Sequence, residues 1–201
     1  MTWLSRPSPR LAAISMMTLG GLAGQALAEA PAPRPAPQVE VTQDGHTAGG
    51  VIKASIDIDA PPEAVWQVLV NCAAAPRLMV NLKTCRVIDR DPAGHWDVRE
   101  TISRGALLPG IRVVMRADYD RPNTIRFHRV DGDLRVLEGE WRLTSIDGGA
   151  ETHLTYESRV AGPFAAPGFL LRGVLRHDMP VTLVNLRAAC ETPTAVATAH
   201  P

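Results

Sequence analysis

A run of period-two segments that ends in one long helical pattern constrains this chain more than any other feature. Residues 84–90, 96–103, 111–119, 124–130, 134–146 and 150–160 alternate apolar with polar side chains, the spacing of strands with one buried face. Turn residues separate them: Asp91-Pro92-Ala93-Gly94, Leu108-Pro109-Gly110, Arg121-Pro122-Asn123, Asp131-Gly132-Asp133 and Asp147-Gly148-Gly149. Gaps this short favour hairpins, so the strands build an antiparallel sheet. Gly162-Pro163 stop the last strand. Residues 167–191 then carry Leu170, Val174, Val181, Val184 and Ala188 at helical spacing. Pro180 lies inside this run and is expected to kink it near His177.

Residues 51–59 add a seventh strand, with Ile52, Ala54, Ile56 and Ile58 on one face. Ala60-Pro61-Pro62-Glu63 opens a helix that Asp59 is placed to cap, with Val65, Trp66, Val68 and Leu69 as its apolar face. Residues 72–82 hold a second short helix near Pro76. The order predicts an α+β domain: a curved seven-stranded antiparallel sheet wrapped around a long C-terminal helix, with two short helices after strand 1. One helix cannot fill a concave sheet of that size, so an apolar cavity is expected beneath it, the default place for a small ligand.

The flanks read differently. Arg6 and Arg10 precede an uncharged run over residues 11–24, and Ala26-Leu27-Ala28 follows it. That is the pattern of a signal peptide over residues 1–28, cleaved near Ala28. The run falls short of the roughly 20 apolar residues of a membrane span. Residues 29–47 open with an Ala/Pro alternation and read as a linker. Residues 48–191 form the domain, and 192–201 a tail without periodicity. The signal holds two of the 21 basic and none of the 21 acidic side chains, which leaves 19 against 21, a charge of −2. No basic excess draws the chain to nucleic acid or to anionic lipid, so membrane contact is expected to be transient at most. The expected location is the periplasm or the exterior. Cys72 and Cys85 are thirteen residues apart and either form a disulfide, as an oxidising compartment permits, or remain two buried thiols. Cys190 reads as a small apolar residue of the last helix.

Alternation also assigns faces. Val113, Met115 and Tyr119 share one side of their strand, opposite Arg112, Arg116 and Asp118. Phe127, Trp141, Leu143 and Tyr156 are expected to face inward by the same rule, as is Val98, with Phe169, Leu170 and Val174 reaching down from the helix. These are the candidate ligand contacts. Trp141 is the strongest, since an indole both packs and donates a hydrogen bond. Tyr119 and Tyr156 are the only two tyrosines and could orient a ligand oxygen. Gly139 is placed to bend its strand. Glu100 alternates with Val98; inward, its pKa would rise and suit it to acid–base work, whereas pairing with Arg99 or Arg129, or exposure at a strand end, would make it structural. Residues 104–110 read as an apolar loop that gates the cavity or simply connects strands. The histidines are scattered without metal-ligand spacing, and no nucleophile elbow or phosphate-cradling glycine loop occurs. No catalytic residue, metal or cofactor is expected.

The ordered set resembles the START-like, polyketide cyclase/dehydrase and coenzyme Q-binding superfamily. The likeness lies in residues 56–66 (IDIDAPPEAVW), 81–87 (NLKTCRV), 132–143 (GDLRVLEGEWRL), Thr152-His153-Leu154-Thr155-Tyr156, and Arg176-His177-Asp178-Met179-Pro180. It covers residues 48–191 and implies the helix-grip fold. It also implies a carrier of an apolar molecule such as a lipid, isoprenoid quinone or hopanoid. The alternatives are a cyclase/dehydrase-type enzyme on a hydrophobic substrate and a ligand-free interaction module of the envelope, whose protein partner the sequence does not name. Fold follows from such a resemblance more firmly than function.

Overall fold

The computed structural model describes residues 34–104, 110–163 and 167–192. The signal and its cleavage near Ala28, the tail beyond Thr192, and residues 105–109 of the apolar loop lie outside the described residues. In chain order the elements are β1 (Gln38–Gln43), β2 (Gly50–Ile58), α1 (Pro62–Val70), α2 (Ala75–Leu78), β3 (Leu82–Arg90), β4 (Trp96–Ser103), β5 (Ile111–Asp120), β6 (Thr124–Gly132), β7 (Val136–Ile146), β8 (Glu151–Ala161) and α3 (Gly168–Glu191). Among the described residues the strands form one antiparallel sheet in the order β1-β2-β8-β7-β6-β5-β4-β3. This is the helix-grip arrangement, with α3 packed on β1, β2, α1 and α2.

The sheet has eight strands rather than seven. β1 falls inside residues 29–47, where the linker was expected, and it corrects that boundary. Its Gln-Val-Glu-Val-Thr-Gln alternation turns Val39 and Val41 toward the core, with Val41 opposite Ile52 on β2. The proline-rich stretch before it hides so short a pattern. Asp59 does not cap α1 either. Pro61 occupies the N-cap position without a side-chain hydrogen bond, and Asp59 is instead held by Arg34, whose Nη2 donates at 2.6 Å.

The core follows from the alternation. Ile52, Ile58 and Leu154 are fully buried with Val65 of α1 and Leu183 of α3, and burying each such side chain stabilises the fold by about 1.5–3 kcal/mol. Thr152 is buried beside them and is satisfied, its hydroxyl donating to the Ala60 carbonyl at 2.7 Å. Gly139 is needed where β7 crowds β8, since a Cβ there would come within 2.2 Å of the Glu157 carbonyl oxygen.

α3 stays helical through Pro180. Its buried side is Thr182, Leu183 and Leu186, with Leu171, Leu175, Met179 and Cys190 packed at the margin of the core. Burial pushes the Cys190 thiol up to about 12, so it stays protonated near neutrality. Long polar side chains fasten the helix at both flanks. Arg172, Arg176 and Arg187 donate to the carbonyls of Gly49, Val41 and Pro35 at 3.2, 2.7 and 2.9 Å. On the other flank Asn81 donates to Asp178 at 3.0 Å and Asn185 to the Leu78 carbonyl at 3.1 Å. Gly168 begins the helix against the β1–β2 turn, where a Cβ would stand 1.6 Å from the Ala48 oxygen.

Candidate ligand-binding face

Strand register decides which side chains look toward α3. Across the sheet Ala117 stands opposite Phe127, Phe127 opposite Gly139, and Gly139 opposite Ser158. The next row pairs Tyr119 with Ile125, Ile125 with Trp141, and Trp141 with Tyr156. Val113, Met115, Tyr119, Phe127, Trp141, Leu143 and Tyr156 therefore share the inner face, as their alternation predicts. Tyr156 is the hub of an aromatic cluster: its ring stacks on Phe127 with centroids 5.9 Å apart and tilts against Trp141 at 4.3 Å. Burial raises the Tyr156 pKa, so its phenol is neutral at any ordinary pH.

The inner face is not uniformly closed. Val113, Ala117, Phe127 and Leu143 are buried, but Ile111, Met115, Leu137 and Trp141 keep partial solvent access although they point inward. Leu171, Leu175 and Met179 of α3 are likewise half-buried. An open groove of about 470 Å³ lies on the opposite, outer face over β1, β2 and β8, lined largely by Gln38, Glu40, Lys53, Ser55, Thr155 and Glu157. Its walls are polar.

Val98 and Glu100 are not on the inner face. β4 turns Asp97, Arg99 and Thr101 inward and Trp96, Val98 and Glu100 outward, as the opposition of Arg99 to Met115 and of Glu100 to Val114 requires. Outward Trp96 is covered by the Arg116 guanidinium, 4.3 Å from its ring centre. Glu100 accepts hydrogen bonds from Arg112 at 2.7 Å and Arg86 at 2.9 Å. Arg112 foremost holds the carboxyl below its usual range, opposite to the rise that burial would bring.

The β4 residues that do face inward form a polar knot. Arg99 donates from Nε and Nη2 to the Asp97 carboxylate at 2.9 and 2.5 Å, and from Nη2 to the Tyr119 oxygen at 2.5 Å. Tyr119 donates to Asp97 at 2.5 Å, and its ring meets Trp66 of α1 edge-on at 5.7 Å. Burial raises the Tyr119 pKa, with Asp97 adding to the rise and Arg99 opposing it. Burial works against the Arg99 charge, but Asp97 and Tyr119 outweigh it and keep the guanidinium protonated. The Tyr119 oxygen is thus engaged by protein groups on both sides. A disulfide joins Cys72, just past α1, to Cys85 on β3, with Cα atoms 5.3 Å apart, and so ties the helical segment to the β3 edge of this half.

On α3 the helix face differs from the expected one. Phe169 and Leu170 are 63% and 49% exposed, and Val174 is half-buried without joining the packed core. The stripe that meets the sheet, through Leu171, Leu175 and Met179, lies one residue on from the expected one.

An α+β helix-grip domain with an inward, partly accessible apolar face is the class this geometry defines. Residues 58–187 match the family model described as polyketide cyclase / dehydrase and lipid transport, and the chain belongs to that family. No curated protein matches it in sequence. Among solved structures it is similar to the STAR-related lipid transfer protein of Xanthomonas axonopodis, with a TM-score of 0.68 and 15% identity over 80% of this chain and 96% of that one. It is also similar to the Zhui aromatase/cyclase of Streptomyces sp. R1128, with a TM-score of 0.61 and 16% identity over 70% and 93%. A START superfamily protein of Mycobacterium smegmatis gives 0.61 and 15% over 70% and 97%. At these identities the likeness is one of fold.

Proposed function

We propose that this chain is an exported protein that holds or carries one apolar small molecule, of the lipid, isoprenoid quinone or hopanoid-like kind, between the inner face of β5–β7 and the N-terminal half of α3. The observation that carries the proposal is the set of inward apolar side chains that retain solvent access, Ile111, Met115, Leu137 and Trp141. Apolar surface left wet on a concave face favours a ligand that covers it, at about 25 cal/mol for each Å² removed from water. The family's description, which joins lipid transport to cyclase chemistry, supports the same reading. Export, with cleavage near Ala28 into the periplasm or beyond, is supported by the N-terminal pattern and by a disulfide that an oxidising compartment sustains. Membrane contact is transient and serves loading or delivery.

A cyclase-type enzyme is the second reading. It would draw on Asp97, Arg99 and Tyr119, which converge on the inner face, although each of these groups already has protein partners. The test is uptake of the neutral fluorophore N-phenyl-1-naphthylamine by the mature protein, with quinone, hopanoid and long-chain alcohol as competitors. Saturable one-to-one binding displaced by at least one of them is expected. No fluorescence gain, and no uptake of the competitors themselves, overturns the carrier reading. Chemical conversion of a bound aromatic polyketide moves the assignment to the enzyme.

A further inference from the structure

If the inner face holds an apolar molecule, as proposed above, its polar end needs a partner, and the inner face contains a donor without one. Arg129 on β6 stands opposite Met115, which puts its side chain on the inner face, two residues from Phe127 and just past the last β6–β7 pair, His128 with Glu138. Its Nη2 donates to the Gly132 carbonyl at 2.9 Å. Its Nε is buried and has no hydrogen-bond partner. A buried N–H left unpaired is uncommon in a folded protein and calls for an acceptor. The side chains of its register partner Met115 and of Phe127 on its own strand offer none.

Arg99 also turns inward but is neutralised within its own strand by Asp97. No carboxylate hydrogen-bonds Arg129 among the described residues. Asp131, whose charge Arg129 does influence, is on the outer side of the strand, and its carboxylate is hydrogen-bonded by Arg112. The inner face thus combines an apolar wall with one guanidinium whose buried Nε–H has no partner within the protein. The planar guanidinium is the side chain best matched to a carboxylate or a phosphate oxygen.

We infer that the ligand is an amphiphile with an anionic oxyacid head, and that Arg129 binds that head while Met115, Leu137 and Trp141 cover its apolar body. The test is competition against N-phenyl-1-naphthylamine with three probes of equal chain length: hexadecanoate, hexadecyl phosphate and hexadecanol. The wild-type protein is expected to prefer at least one anion over the alcohol by about tenfold or more, the scale of a charge-assisted pair. Which anion wins separates a fatty-acid-like ligand from a phosphorylated one. Arg129→Met should erase the preference by weakening the anions far more than hexadecanol, and Arg129→Lys should keep part of it. Thermal melts of both variants show whether they fold. Equal affinity for all three probes in the wild type, or a preference that survives in Arg129→Met, overturns the anion anchor and leaves the apolar site standing. Failure of every probe, including the alcohol and the fluorophore, overturns both.

Discussion

The two halves of the inner face are built from the same alternation but finish differently. Over β2 and β8 the inward residues Ile52, Ile58 and Leu154 are sealed, Thr152 is satisfied, and α3 is fastened alongside by Arg172, Arg176 and Arg187. Over β5–β7 the inward side chains include Ile111, Met115, Leu137 and Trp141, which remain partly wet, and Arg129 with an unpaired donor. The first half holds the fold together; the second has surface and hydrogen-bonding capacity left over. A sheet covered by one helix need not be covered evenly, and the uneven part is where a ligand gains most.

Mutations can break or sharpen this contrast. The largest expected effect comes from the polar knot that stiffens the edge of the accessible half. Arg99→Met leaves Asp97 buried without its counter-ion and should cost about 4 kcal/mol in chemical denaturation. A loss below about 1 kcal/mol would show that the knot is not needed to hold β4 against α1. Truncations within the two halves come next. Leu154→Ala should cost about 3 kcal/mol, because a sealed site cannot collapse around the void. Met115→Ala should cost less than about 1 kcal/mol and weaken fluorophore binding instead. Equal costs at the two positions would erase the distinction. Opening the Cys72–Cys85 disulfide, by reduction or by a Cys72→Ser, Cys85→Ser double variant, should remove about 3 kcal/mol, the chain-entropy scale for a loop of this length.

The smallest effect concerns the outer face. Arg112 and Arg86 hold the Glu100 carboxyl below its ordinary value, so this pairing stabilises the fold above the unfolded carboxylate pKa of about 4.3. That contribution fades as pH falls through the lower folded value. Glu100→Gln should flatten the acid limb of the stability profile and leave ligand binding untouched. A change in binding with pH that tracks Glu100 would instead place its carboxyl at the ligand.

Much of the fold was legible in the sequence because alternation and turn residues agree over β3 to β8. The errors have physical causes. β1 is six residues long beside a proline-rich stretch, too short to stand out. In β4 the apolar side chains Trp96 and Val98 are the outward ones, and the inward face is occupied by a self-neutralising Asp97–Arg99 pair. Hydrophobicity alone therefore reads that strand upside down. An acid and an arginine two residues apart on one face was the available clue. α3 carries two apolar stripes, Leu170/Val174/Val181 and Leu171/Leu175/Leu186, about 100° apart around the helix. Only the sheet and the arginine clamps choose between them. Arg129 looks like any other strand arginine until register sets it opposite Met115.

Native mass spectrometry of the mature protein purified from an exporting host, followed by organic extraction, tests the central claim most directly. One apolar or amphipathic molecule per chain is expected, released into the organic phase and displaced by N-phenyl-1-naphthylamine. A protein at its bare polypeptide mass that also takes up neither that fluorophore nor any quinone, hopanoid or fatty acid would contradict it.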